Sequence, residues 1–243
     1  MAGTSEVIAQ AAVLVAFPIA AAIIGSIVSV VRPPDRKTTS AVQHFAAGVV
    51  LAALAGEVLP DLRGEGSLIW AISGFILGTA VMLTLGAIGR RLEKKQETQA
   101  GLPLGLLVAV GIDLLLDGLL VGLGATLGSG QGLILTIALT IEILFIGLSV
   151  TAELTQKGLS RSRAVLTISG LGLATGIGAL GGAAVLGGAS RPALALVLAF
   201  GAAALLYLVV EELLTEAHQQ AETTFLGAMF FLGFLTIYVL GAL

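Results

Sequence analysis

The chain has 243 residues, of which 57% are hydrophobic and 11% charged, with a mean hydropathy of +1.06. An ordinary soluble domain carries about 25% charged residues, so this chain lacks the polar surface of a soluble enzyme, a disordered segment or a nucleic-acid binder. It has no cysteine, which excludes a disulfide framework and a thiolate metal site, and its formal net charge of -3 says less than where its 12 basic and 15 acidic residues fall.

A bilayer core takes about 20 mostly apolar residues per helix. Runs of that length predict spans at about 7–31, 41–59, 68–89, 103–127, 133–154, 165–186, 193–214 and 225–243, separated by polar stretches such as 32–37, 61–67, 90–101, 156–163 and 216–224. The expected fold class is an all-α integral membrane protein with eight transmembrane helices in a single polytopic domain, 1–243. Span 1 has no basic stretch before it and is longer than a signal-peptide core, so it is expected to be a membrane helix and not a cleaved leader. The 33 glycines are spread through the spans and read as sites of close helix packing.

The basic residues sort by loop. Arg32, Arg36 and Lys37 follow span 1, Arg90, Arg91, Lys94 and Lys95 follow span 3, and Lys157, Arg161 and Arg163 follow span 5; the even loops hold only Arg63 and Arg191. All 12 are expected in loops. The positive-inside rule then places the odd loops in the cytoplasm and both termini outside, in the cell (inner) membrane.

Span 2 ends in Glu57-Val58-Leu59-Pro60-Asp61 and span 7 in Glu212-Leu213-Leu214-Thr215-Glu216, at a constant offset of 155 residues. The two spans run in opposite directions, which points to an inverted repeat of helices 1–3 and 6–8 around a central pair, a 3+2+3 arrangement of the kind found in secondary transporters.

Carboxylates inside a membrane are costly and mark function. Asp113 and Asp117 lie near the middle of span 4, spaced i, i+4 on one helical face. A short Gly-rich turn joins spans 4 and 5 as antiparallel neighbours, so Glu142, near the middle of span 5, can face both aspartates at one depth. No base lies at that level. Three such carboxylates either carry protons or hold a cation, and oxygen-only ligands suit a hard divalent ion or a proton relay. Glu57 and Asp61 lie at the outer end of span 2, and Glu211, Glu212, Glu216 and His218 at the inner end of span 7, which extends the trio into an acidic line. His44, at the inner start of span 2, is expected to be interfacial.

These residues carry a family resemblance. Ala46-Ala47-Gly48 and Glu57-Val58-Leu59-Pro60-Asp61 resemble the Ala-Ala-Gly and His-Leu-Leu-Pro-Glu pattern in helix 2 of the ZIP (ZRT/IRT-like) metal transporters, above all their bacterial branch. Glu211-Glu212-Leu213-Leu214-Thr215-Glu216-Ala217-His218 is similar to the helix 7 ending Glu-Glu-Leu-Ile-Pro-Glu-Ala-His. Asp113-Leu114-Leu115-Leu116-Asp117-Gly118 resembles the helix 4 signature His-Asn-x-x-Glu-Gly, and Glu142-Ile143-Leu144-Phe145-Ile146-Gly147 falls on the helix 5 signature His-x-x-Pro-Glu-Gly. The departures are specific. Acids replace both signature histidines at Asp113 and Glu142, and Leu114, Ile146 and Thr175 stand where the family has further ligands.

The resemblance implies a carrier of divalent metal cations with no resident cofactor and no enzymatic activity, its partners being the ion and the lipid bilayer, with a homodimer as the assembly. The metal residues would be Asp113, Asp117 and Glu142, flanked by Glu57, Asp61, Glu211, Glu212, Glu216 and His218. Loss of imidazole removes the preference for zinc, so manganese or iron(II) fits as well as zinc, and the lost ligands point to one bound ion instead of the family's two. Two further functions are compatible with the same residues: a non-transporting or proton-handling sensor or assembly protein of the same family, and an intramembrane metal-dependent enzyme built on Asp113 and Asp117. The enzyme fits less well, since a diphosphate substrate would need basic residues that the spans lack.

Overall fold

The computed structural model describes residues 3–64, 68–96, 103–218, 220–221 and 223–242. The polar stretches expected at 61–67, 90–101 and 216–224 fall partly outside these residues, as do the side chains of Lys94 and Lys95. Among the described residues the secondary structure is entirely helical. Eight helices are long and apolar enough to cross a bilayer: α1 (Thr4–Val31), α2 (Arg36–Gly64), α3 (Leu68–Gln96), α4 (Leu104–Leu127), α5 (Ser129–Gln156), α6 (Arg161–Leu186), α7 (Arg191–Ala217) and α8 (Thr224–Gly241).

Several helices start where local chemistry dictates. Pro33 and Pro34 block continuation of α1, and the Asp35 carboxylate caps α2 by accepting the Thr38 amide at 2.7 Å. Hydrogen bonds from Thr38 hold the Asp35 carboxyl below the usual aspartate range, so the cap is charged at neutral pH. Thr223 caps α8 by accepting the Leu226 amide, and Pro192 sits in the first turn of α7, where its missing N–H costs nothing. Between α4 and α5 there is one residue, Gly128, whose φ of 130° a side chain would resist. That single-residue reversal makes α4 and α5 antiparallel neighbours.

The helices outrun the expected spans, and this corrects the placement of the basic residues. Arg36 and Lys37 open α2, Arg90 and Arg91 belong to α3, and Arg63, Arg161, Arg163 and Arg191 are also helical. Long basic side chains tolerate this because their stems lie along apolar surface while the charge reaches the headgroup region. The clustering survives: one end of the bundle, called the basic end below, holds Arg32–Lys37, Arg90–Arg91 and Lys157–Arg163.

Two helices are locally widened. Leu54–Val58 of α2 and Leu208–Leu213 of α7 are π-helical, and the Leu59 and Leu214 amides bond five residues back, to Leu54 and Val209. In α2 the cause is Pro60, which has no amide to offer the Gly56 carbonyl and presses its ring against that turn. In α7 the matching position is Thr215, and its hydroxyl donates instead to the Val210 carbonyl at 3.0 Å.

The most extensive packing is between α4 and α6, α1 and α5, α2 and α8, and α3 and α7, with α1 against α6 between them. Without a hydrophobic drive between helices in lipid, small residues set these pairs. At α4–α6 the approach is reciprocal: a methyl group added to Gly118 would strike the Thr175 carbonyl, and one added to Gly178 the Leu115 carbonyl. α3 and α8 are the least buried helices. The main core is shared by α1, α2, α4, α5, α6 and α7, including Leu14, Val50, Ala53, Leu123, Leu139, Ala183 and Leu205.

Candidate metal centre

α4 and α5 bring Asp113, Asp117 and Glu142 together at mid-bundle. One carboxylate oxygen from each lies within 4.8 Å of the others. Asp117 and Glu142 are buried and Asp113 is half-buried. Asp117 Oδ2 and both Glu142 oxygens have no hydrogen-bond partner, an arrangement that native interiors avoid unless the group has a ligand or a proton to hold. Gly118, next to Asp117, lets the α6 backbone close over the pair at Thr175, whose hydroxyl is also buried without a partner. The geometry offers a small all-oxygen cage whose carboxylates need protons or a cation to neutralise them.

The positions where the family signature has further ligands are occupied differently. Leu114 is fully buried against Ala22 and Ile143, and Ile146 packs on the same apolar cluster. Leu114 and Ile146 put hydrocarbon at two of those positions, and Thr175 offers a hydroxyl at the third.

On the basic-end side of the trio, a cavity of about 480 Å³ lies between α3, α4 and α7 and reaches Asp113. Glu211, Glu212 and Glu216 line it. In a regular helix two adjacent side chains diverge by about 100°; here both Glu211 and Glu212 lie in the widened turn, and both reach the cavity. Arg90 and Tyr207 line it too, and the guanidinium and the tyrosine hydroxyl both border the space beside Gly86. The sequence marked Arg90 only as a topology-setting base and did not mark Tyr207.

Glu216 also accepts a 2.6 Å hydrogen bond from Gln43 Nε2, and the Ser40 hydroxyl donates to the Ala217 carbonyl, tying the end of α7 to the start of α2. His44, expected to be interfacial, is buried there, with Nδ1 2.8 Å from the Ser40 carbonyl and its ring edge-on to His218 at 5.4 Å. Glu57 and Asp61 stand apart at the opposite end, where Gln131 Nε2 donates to Asp61 Oδ1 at 3.4 Å. Along α5, Leu135, Ala138 and Leu139 fill the stretch between Gln131 and Glu142, and along α4 Leu120 and Leu123 lie beyond Asp117. The sequence-derived acids thus form two groups: one continuous from the trio to the basic end, the other separated from it by apolar core.

An eight-helix membrane protein whose interior gathers three carboxylates, with no base among the described residues of that trio's cluster, is built to handle cations. The family model of the ZIP zinc transporters matches residues 92–241, more than half of the chain, and the chain belongs to that family of membrane metal transporters. The match covers the end of α3 and all of α4–α8, and therefore the trio and the α7 acids; α1 and α2 lie before it. No curated protein matches the chain significantly.

Proposed function

We propose that this chain carries a divalent cation across the cell (inner) membrane through one site formed by Asp113, Asp117 and Glu142. The observation that carries this is the convergence of three carboxylates at mid-bundle with unpartnered buried oxygens. A dication supplies the charge and the coordination that those oxygens lack. Leu114 and Ile146 in apolar packing favour one ion over two, and a donor set without imidazole or thiolate favours manganese or iron(II) at least as much as zinc. Glu57 and Asp61 recruit the ion at one face, and Glu211, Glu212, Glu216 and His218 receive it at the other.

The positive-inside rule makes the basic end cytoplasmic and sets both termini outside. The cavity reaching Asp113 then opens inward, and the core around Leu139 and Leu205 closes the outer side. An inverted repeat of α1–α3 and α6–α8 about the α4–α5 pair is supported by the contacts: exchanging the two halves turns the α1–α5 pair into α6–α4 and the α2–α8 pair into α7–α3. It is supported again by the π turns, which fall within one residue of the 155-residue offset. Such a repeat permits alternating access by rocking around a fixed site. The whole chain acts as a single membrane domain, and the family resemblance adds a homodimer, testable by mass measurement in detergent.

Asp117→Ala is expected to abolish uptake of manganese, iron(II) and zinc into proteoliposomes, while wild-type protein moves at least one of them. Undiminished uptake by the variant would remove the site from consideration.

A further inference from the structure

Among the described residues lining the cavity at the basic end, Arg90 is the one cation; its side chain is exposed, and Asp113, Glu211, Glu212 and Glu216 line the same cavity. It forms no ion pair among the described residues; the one such pair there, Lys157 with Glu153 at 2.6 Å, lies elsewhere. Its guanidinium lies beside the Tyr207 hydroxyl: both border the point where a methyl group on Gly86 would stand. That approach has a prepared seat: one turn before Arg90 on the same face of α3, such a methyl group would strike the Tyr207 hydroxyl. Tyr207 in turn immediately precedes the π turn that brings both Glu211 and Glu212 to the cavity.

The physical difficulty of this cavity is release. A dication that meets several carboxylates in a partly dehydrated space binds well, but passage needs binding weak enough to let it leave. A guanidinium keeps its charge at any physiological pH, so its potential always opposes a cation at the neighbouring acids. Set beside Tyr207, it does so without itself occupying Glu211 or Glu212.

We propose that Arg90 is a tethered counter-cation that sets how tightly the transported ion is held at the cavity carboxylates, and that Tyr207 positions it off those carboxylates. This rests on the reading that ions leave through this cavity. Removing the charge tightens ion binding and slows release. Removing only the tether frees the guanidinium to pair with Glu211 or Glu212 and weakens ion binding.

The test is equilibrium binding of Mn2+, and separately of Zn2+, to the full chain in nanodiscs, with proteoliposome flux alongside. Arg90→Gln is expected to tighten the dissociation constant by about tenfold, the scale of one exposed charge acting largely through water, and to lower turnover at saturating ion. Tyr207→Phe is expected to weaken binding severalfold, and Arg90→Lys, which keeps the charge, to stay within about twofold of wild type. Tighter binding is not an outcome that loss of structure can produce. The proposal is overturned if Arg90→Gln binds no more tightly than wild type, if Tyr207→Phe shifts in the same direction as Arg90→Gln or not at all, or if Arg90→Lys behaves like Arg90→Gln. Asp117→Asn separates this from the underlying site: wild-type-like binding and flux in that variant overturn the trio as the ion site. A wild-type protein that binds neither ion overturns both.

Discussion

Glu142 is a fully buried carboxyl group with neither oxygen hydrogen-bonded, and a residue in that condition detracts from stability. Replacing a buried ionisable group by an apolar one of similar volume is often neutral or stabilising, whereas leaving a charge without its partner is costly. Glu142→Met is therefore expected to raise the thermal midpoint by a few degrees, about the shift that 1 kcal/mol produces in a chain of this size, while abolishing metal uptake. Thermal unfolding in detergent and proteoliposome flux measure the two halves. A variant that melts well below wild type would mean that Glu142 braces the fold. Leu114 is the opposite case. It stands at a signature position for a metal ligand, yet it is buried against Ala22 and Ile143, so the same helix turn supplies ligands on one face and packing on the next.

Among the elements, the two π turns show how local chemistry aims side chains. Pro60 widens α2 by withholding an amide, and Thr215 accompanies the widening of α7 with a hydroxyl bond to the Val210 carbonyl. π turns are rare and concentrate at functional sites. Deleting Val210 would return the α7 segment to regular helix with its two flanks in their present register, and within that turn the two glutamate side chains would diverge by about 100°. The expected outcome is unchanged helix content by circular dichroism with loss of metal transport, because Glu211 and Glu212 no longer both reach the cavity. Retained transport would show that the α7 acids need no such alignment.

For the whole molecule, the bundle's polarity decides which solution the cavity meets. The chain has no cysteine, so single cysteines introduced at chosen positions report topology without background. Thr4→Cys and Arg191→Cys are expected to react with a membrane-impermeant maleimide in intact cells, and Lys157→Cys only after permeabilisation. The reverse pattern would turn the cavity outward and the proposed direction of ion release with it. The sequence alone determined the eight spans, the shared depth of Asp113, Asp117 and Glu142, and the crowding of bases at one end, because hydropathy and helical spacing are properties of a single helix and need no neighbour. Tertiary structure alone decided that α1 packs on α5 and α4 on α6, that His44 is buried against His218, and that Arg90 and Tyr207 share a cavity with the α7 acids. In lipid one apolar helix face is as well solvated as another, so hydrophobic pattern does not select partners. Close approaches such as Gly118 against Thr175, and the widened turns before Pro60 and Thr215, make that choice.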